Sequence, residues 1–509
     1  MTAATNYPLP TAIVTAILLA GLHLLLRIAP LWRHRHQGCD AYYYLLCAEV
    51  FRRSHRLPIV LPSYYLLEPQ EQAYPPLMCM LLGVLPGRWL TKSYWSISPI
   101  IDGFSMALLV VWVGGRYGLV PGILAGIAYS ANASLLLEFS SLTSRPLALL
   151  LTNCFLIASF LWTEGVATAL PVAAVLGVLL LYTHKLSVQL LWCLLPFLAL
   201  TTLDWRWLVP FAVAYLVAFA IAPRLFLRIL YAHWDIVSYW RRNWSLLGAH
   251  VVRQSPIYGG EPTQDGFYRR HDISWLLRQI GKVLDYNCFV LFYPLAILYW
   301  SGLGRDGQFA LLWAGGTYLW GLATYLVPVL RCFGEGNKYF KYSLVPSLFI
   351  AASSFSTDRF GLAALIAIVC VAWTIYSYGM TALRLGQPLL SMGRLSSELA
   401  PLVEQIKSAG GARVICLPPH LCDLVAFHAR CPVLWGGHNY EFKRLEAFFP
   451  VLRHSVETFV KEFGLTHLLL DKRYVDLVEL HLSSISIIAK SDNYLLVTFD
   501  RTVMPAAIN

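Results

Sequence analysis

A chain of 509 residues that is 57% hydrophobic and only 13% charged lies outside the soluble globular range, where about a quarter of residues carry charge. Lipid is its expected solvent, and membrane lipids, not nucleic acid, are its expected surroundings. Eleven cysteines without a CxxC pair argue against a zinc or redox framework.

The first ten residues hold no Lys or Arg, and the apolar run behind them has no small-residue cleavage signature, which reads as a retained first span. A hydrocarbon core of about 30 Å takes about 20 apolar residues per helix. That yardstick predicts eleven spans, over 10–30, 97–114, 119–137, 146–163, 168–183, 186–203, 207–222, 286–304, 308–328, 341–356 and 360–380. The apolar stretch Pro75 to Pro86 is too short and is bracketed by prolines, which suits an interfacial or re-entrant helix.

Parity then puts 31–96, 138–145, 184–185, 223–285, 329–340 and 381–509 on one side of the bilayer. Of the 39 Lys and Arg, four lie on the plain face and Arg27 inside the first span, leaving 34 on the elaborate face with Lys341, at the edge of its span, counted there. The positive-inside rule would make that face cytoplasmic; the rule is weak for long loops and folded regions, where 22 of the 34 sit. The expected architecture is a polytopic all-α membrane bundle over 1–385, with outer loops 31–96 and 223–285, and an extracytoplasmic α/β domain over 386–509. In that tail, helix-like runs Glu398 to Ser408 and Lys443 to Phe463 alternate with the apolar runs RVICLP, CPVLW, THLLLD and YLLVTF. Cys416, Cys422 and Cys431 could pair there. No GxGxxG or P-loop marks a nucleotide site.

Polar constellations fall on the elaborate face. In GCDAYYYLLCAEVFRRSHRLP, Asp40 opens a helix, where the dipole favours a carboxylate. Tyr42, Tyr43 and Tyr44 follow as an interfacial cluster, and Arg52, Arg53 and Arg56 supply anion-attracting charge. In EFSSLTSRP, Glu138 and Arg145 flank a short polar segment between spans. Glu138 either pairs with Arg145 and caps the next helix, or faces Asp40 across a cavity as a second carboxylate able to bind a divalent metal such as Mg or Mn, or a sugar hydroxyl. His184 and Lys185 stand at a membrane boundary. In RCFGEGNKYFKYS, glycines flank Glu335, and Arg331, Lys338 and Lys341 surround it with charge suited to a phosphate at the membrane surface. The segment 223–285 is expected as a partly ordered lid. Asp102, inside the second span, is a lesser candidate for the same cavity.

In these motifs the chain resembles the GT-C superfamily of integral membrane glycosyltransferases, which includes protein mannosyltransferases, oligosaccharyltransferase catalytic subunits and lipid A aminoarabinose transferases. GCDAYYY resembles that family's first-loop Asp motif; Tyr74, Pro75, Pro76 and Leu77 resemble its YPPL entry to a juxtamembrane helix; Glu138 falls where its second-loop acidic motif lies. The likeness covers roughly 10–230 in order and spacing. It implies Asp40 as the base, Glu138 assisting, and Arg145, Lys185, Arg331 and Lys338, with His184 and Glu335 beside them, holding a polyprenyl phosphate; Tyr42, Tyr43, Tyr74 and Tyr339 would line the substrate cavity. The implied reaction moves a sugar from a polyprenyl-phosphate donor to a glycan, lipid or protein acceptor at the extracytoplasmic face of a cell membrane, with inversion. Further acidic ligands of metal-dependent members have no counterpart here, and some relatives have thirteen spans. A lipid or lipid-linked-sugar flippase is the competing reading, though such proteins usually place polar residues near the midplane.

Overall fold

The computed structural model describes residues 9–32, 38, 40–61, 64–67, 71–243, 257–259, 273–334, 336–355, 360–385, 395–436 and 442–500. In chain order the helices are α1 (Leu9–Trp32), α2 (Asp40–Ser54), α3 (Leu77–Val84), α4 (Gly87–Tyr117), α5 (Leu119–Ser130), α6 (Ala133–Glu138), α7 (Arg145–Thr163), α8 (Ala169–Leu181), α9 (Lys185–Thr202) and α10 (Val209–Ile221). There follow α11 (Pro223–Asn243), α12 (Ile273–Asn287), α13 (Tyr293–Leu298), α14 (Gly304–Leu326), α15 (Leu344–Ser354), α16 (Phe360–Arg384), α17 (Ala400–Ser408), α18 (Cys422–Ala429), α19 (Phe442–Leu445) and α20 (Val456–Phe463). Four strands close the chain: β1 (Val414–Leu417), β2 (His467–Asp471), β3 (Ile485–Lys490) and β4 (Tyr494–Phe499). The chain divides into two compact units, one from 1–36, 93–223 and 273–391, the other from 37–92, 224–272 and 392–509. The C-terminal segment thus shares its unit with two earlier stretches of chain.

The first unit is helical. Among the described residues six helices are long and apolar enough to cross a membrane: Pro10–Trp32, Gly87–Tyr117, Arg145–Thr163, Lys185–Thr202, Ile280–Leu298 and Gly361–Arg384. Leu119–Ser130, Ala169–Leu181 and Trp205–Ile221 are apolar but shorter. Large apolar side chains such as Leu18 on α1 and Ile368 on α16 are exposed, as lipid-facing residues must be.

In two expected spans a side chain competes with the helical ladder. The 119–137 span splits into α5 and α6 because Asn132 accepts a hydrogen bond from the Leu135 amide at 2.9 Å and caps a new helix. The 286–304 span starts instead within α12 and continues through the 3-10 turn Cys288–Phe292, which Asn287 begins by accepting from the Phe289 amide at 3.1 Å, into α13. The 341–356 span begins later, at Leu344, because Gly336–Ser343 is itself a 3-10 segment. That segment packs tightly on α14: a Cβ at Gly336 would lie 2.7 Å from the Tyr325 nitrogen and 2.8 Å from Thr324 Oγ1, so only glycine lets the two backbones meet.

In the second unit the sheet order is β1-β2-β4-β3, with β1 and β2 parallel and the other pairs antiparallel. β1, β2 and β4 are mostly buried and correspond to the expected runs RVICLP, THLLLD and YLLVTF, whereas β3, with three isoleucines but mostly exposed, matches none of the expected runs. CPVLW makes no strand; Val433 forms only single bridges to Tyr65 and Val414. The expected helix 443–463 becomes α19 and α20, parted by a turn through Pro450. Cys416, Cys422 and Cys431 are buried free thiols, not a disulfide. The predicted loop 223–285 contains a 21-residue amphipathic helix, α11, whose buried Leu225, Phe226, Ile229, Ala232, His233 and Tyr239 share one face. Tyr239 donates to the Phe449 carbonyl at 2.6 Å in a core with Trp435, Leu468 and Val497.

Candidate functional site

Within the helical unit the structure gathers charge around Glu138. The carboxylate ends the six-residue helix α6, which follows Asn132 directly, so the cap that breaks the expected span also sets its position. Lys341, on the 3-10 segment Gly336–Ser343, forms a buried ion pair with Glu138. Tyr286, near the end of α12, donates its hydroxyl to the other carboxylate oxygen at 3.2 Å. Asn337 Nδ2 lies 3.4 Å from that same hydroxyl, and Asn132 Nδ2 donates to the Tyr286 carbonyl at 3.0 Å.

Arg145 and Lys338 add their fields. Burial on its own would push the Glu138 carboxyl up; Lys341 and Arg145, with a smaller pull from Lys338, outweigh it and hold the group below the usual range. Burial pushes the Lys341 ammonium down to about 8, with Glu138 limiting the fall and Arg145 and Lys338 adding to it. The arrangement is a carboxylate embedded among cations, and its chemistry is to hold a negative charge.

Other predicted residues of this unit stand at the ends of helices. His184 is the N-cap residue of α9 and Lys185 its first residue; both are buried. Arg331 is buried, and its Nε lies 3.4 Å from the Tyr325 carbonyl oxygen. Tyr339 is fully buried, its hydroxyl donating to the Phe333 carbonyl at 2.7 Å with Gln189 Oε1 at 3.2 Å. Glu335 lies outside the described residues. Lys341, expected with Arg331 and Lys338 as charge around Glu335, instead pairs with Glu138; Tyr286, at the edge of an expected span, carries no local signal of its contact with that carboxylate.

Asp102 is not available to any cavity. It is fully buried, with Arg27 Nε at 3.1 Å, His23 Nε2 at 3.5 Å and the Tyr129 hydroxyl donating at 2.6 Å. Arg27 also donates to the carbonyls of Asn132, at 2.7 Å, and Tyr129, at 3.2 Å.

Asp40 belongs to the second unit. Gly38 adopts φ +58, a conformation that suits glycine, and the chain then enters α2 with Asp40 as its first, half-buried residue. Tyr42 packs on the rings of Phe427 and His428. Tyr43 donates to Gln72 Oε1 at 3.1 Å, and Tyr44 to the Tyr74 hydroxyl at 3.1 Å, in a cluster of edge-on rings. Arg52 does not present a free charge: it donates to the carbonyls of Leu85, at 3.0 Å, and Leu82, at 3.3 Å, fastening α2 to the end of α3. Arg53 pairs with Glu49, which Arg430 also holds at 2.8 Å.

For a divalent metal the described residues offer no group of three His, Cys, Asp or Glu side chains. Glu138 already has an ammonium where a metal would sit. Among the described residues, then, no cluster has the donors such an ion needs.

No known family profile matches the chain and no curated protein matches it. Solved structures do. The Archaeoglobus fulgidus oligosaccharyltransferase AglB, in complex with an inhibitory peptide and a dolichol-phosphate, aligns over 90% of this chain and 69% of its own, at 12% identity with a TM-score of 0.59. The same protein with Zn and sulfate aligns over 90% and 68%, at 14% identity and a TM-score of 0.59. ArnT from Cupriavidus metallidurans, bound to undecaprenyl phosphate, aligns over 96% and 99% at 14% identity, but its TM-score of 0.43 is too low to bear on the fold. At this identity and score the likeness to AglB is one of fold: a polytopic helical membrane bundle with a small C-terminal sheet.

Proposed function

We propose that this membrane chain is a glycosyltransferase that moves a sugar from a polyprenyl-phosphate donor to a hydroxyl or amide of a glycan, lipid or protein acceptor on the extracytoplasmic face. The observation that carries the reading is the gathering of Lys341, Arg145 and Lys338 around Glu138 in a fold shared with a protein that has been solved with a dolichol phosphate.

In the proposed step the acceptor attacks the anomeric carbon with inversion, and the bond from that carbon to the phosphate oxygen breaks. Its electron pair leaves on the lipid phosphate, while the acceptor proton passes to Asp40 as base. Charge grows on the phosphate as the bond breaks, so cations held ready for it stabilise the transition state more than the ground state. Arg331, Lys185 and His184 are proposed as further donors to the lipid phosphate, and Tyr42, Tyr43 and Tyr74 as the wall beside Asp40. Tyr339, being fully buried, is proposed to support the 3-10 segment that carries Lys338 and Lys341.

The test is donor consumption by the purified chain in lipid nanodiscs, offered a panel of labelled polyprenyl-phosphate sugars. Wild-type protein should consume one of them. Asp40→Asn should lose at least about a hundredfold in rate, the scale of a general base, with an unchanged unfolding temperature. An Asp40→Asn protein that turns over like the wild type would remove Asp40 from the chemistry, and a chain that only moves intact donor across the bilayer would be a flippase.

A further inference from the structure

We propose that Glu138 is an internal counter-ion, paired with Lys341 while the site is empty and displaced from it by the phosphate of the lipid ligand. The inference rests on the glycosyltransferase reading, and deepens it by giving Glu138 a role opposite to that of a binding or metal-bridging carboxylate.

The argument begins with the cost of an empty site. A lysine buried in a membrane protein without a partner loses its hydration and is strongly disfavoured in its charged form. Lys341 is 1% exposed, so a cation waiting there for a phosphate needs something to hold it charged. Glu138 supplies that partner, and Tyr286 steadies the carboxylate from its other oxygen. Arg145 and Lys338 act on Glu138 as well as on Lys341.

A phosphate arriving at these cations brings a second anion into a region already holding one. At low effective dielectric two anions sharing one ammonium repel strongly, and the better acceptor takes the lysine. Glu138 must give way, by turning about its own side-chain bonds at the end of α6, and its loss of Lys341 is subtracted from the phosphate's affinity. The same opposition works in reverse after transfer, because Glu138 returning to Lys341 lowers the hold on the lipid phosphate that has just been formed. Where product release limits turnover, such a carboxylate raises the rate by weakening a complex.

The sign of the effect separates this role from the alternatives. A carboxylate that recruits the phosphate through a bound metal would, when neutralised, weaken binding; one that only assists the base would leave binding unchanged. Displacement predicts tighter binding. Dolichol phosphate is the probe, titrated against the full chain in nanodiscs of neutral lipid with excess chelator present. Glu138→Gln, which keeps the shape and an oxygen for Tyr286, should bind it about tenfold more tightly than wild type, the scale of one screened charge at contact. Glu138→Asp keeps the charge needed for folding but draws the carboxylate back from Lys341, and should tighten binding about threefold. Equal or weaker binding by the recoverable variants overturns the proposal. Binding that Lys341→Gln leaves untouched, or no binding by wild type, would instead put the phosphate elsewhere and remove the glycosyltransferase reading of this cluster on which the proposal stands.

Discussion

Asp102 and Glu138 are both acids buried in the helical unit against a single close cation, yet their surroundings differ. Around Asp102, Arg27 supplies the charge, Tyr129 a hydrogen bond, and His23 a nearby ring nitrogen. The rest of the Arg27 guanidinium is spent on the carbonyls at the end of α5 and the start of α6, where a cation also meets the negative end of the helix dipole. Charge there is balanced and occupied, and the cluster ties α1, α4 and the α5–α6 turn together. Around Glu138 several cations converge: Lys341, Arg145 and Lys338 all act on one carboxylate. The comparison teaches how to tell a structural ion pair from a poised one. Burial is common to both; a carboxylate acted on by three cationic side chains, Lys341, Arg145 and Lys338, is found in only one.

The sharpest way to break this contrast is to remove a single member of the balanced cluster. Asp102→Ala leaves Arg27 buried and uncompensated, and should cost about 3–5 kcal/mol, read as a large fall in unfolding temperature in detergent. If it costs little, the cluster is not the strut described here. Replacing both charges, as Arg27→Met with Asp102→Leu, should recover most of that loss, to within about 1–2 kcal/mol of wild type. Failure of the double replacement would mean that the two carbonyl bonds of Arg27, not its charge, hold the turn.

At the poised cluster the order of effects inverts, with ligand binding moving more than stability. Lys341→Gln should lower the affinity for dolichol phosphate about tenfold while changing the unfolding temperature less than Asp102→Ala does, because Glu138 keeps Arg145 and Lys338. The smallest expected effect is that of Tyr286→Phe, which deletes one hydrogen bond to Glu138 and should cost about 1 kcal/mol or less, measured by the same unfolding assay. A larger loss would show that Tyr286 fixes the carboxylate more firmly than its 3.2 Å contact suggests.

Much of the fold could be read from hydropathy alone, because apolar helices of membrane length leave an unmistakable mark: α1, α7, α9 and α16 begin and end within a few residues of expectation. What could not be read was interruption. A single amide side chain, Asn132, turns one apolar run into two elements, and Asn287 puts a 3-10 turn inside another; average hydropathy over a window is blind to both. β3 was missed although it holds three isoleucines in six residues; it is a mostly exposed strand at the edge of the sheet. At the candidate site, Glu138, Arg145 and Lys338 were legible as charges in short polar loops. Their gathering was not, since it depends on the 3-10 segment that turns Lys341 out of an expected helix. Asp102 looked like a site residue because a lone acid in a span is costly; its partner Arg27 lies 75 positions earlier in the chain, beyond the reach of any local pattern.

The second unit draws on three separated stretches of chain, and its contacts close late. Tyr65 donates to Asp423 at 2.7 Å, and the Val433 amide donates to the Tyr64 carbonyl at 2.8 Å, so residues 64 and 65 find these partners only in chain made after α16. On a ribosome these contacts must wait while the intervening membrane helices are inserted. Chains cut short after α16 should therefore present the aromatic face of α2 to quality control as if it were unfolded, and coexpression of 392–509 as a separate piece is the way to rescue it.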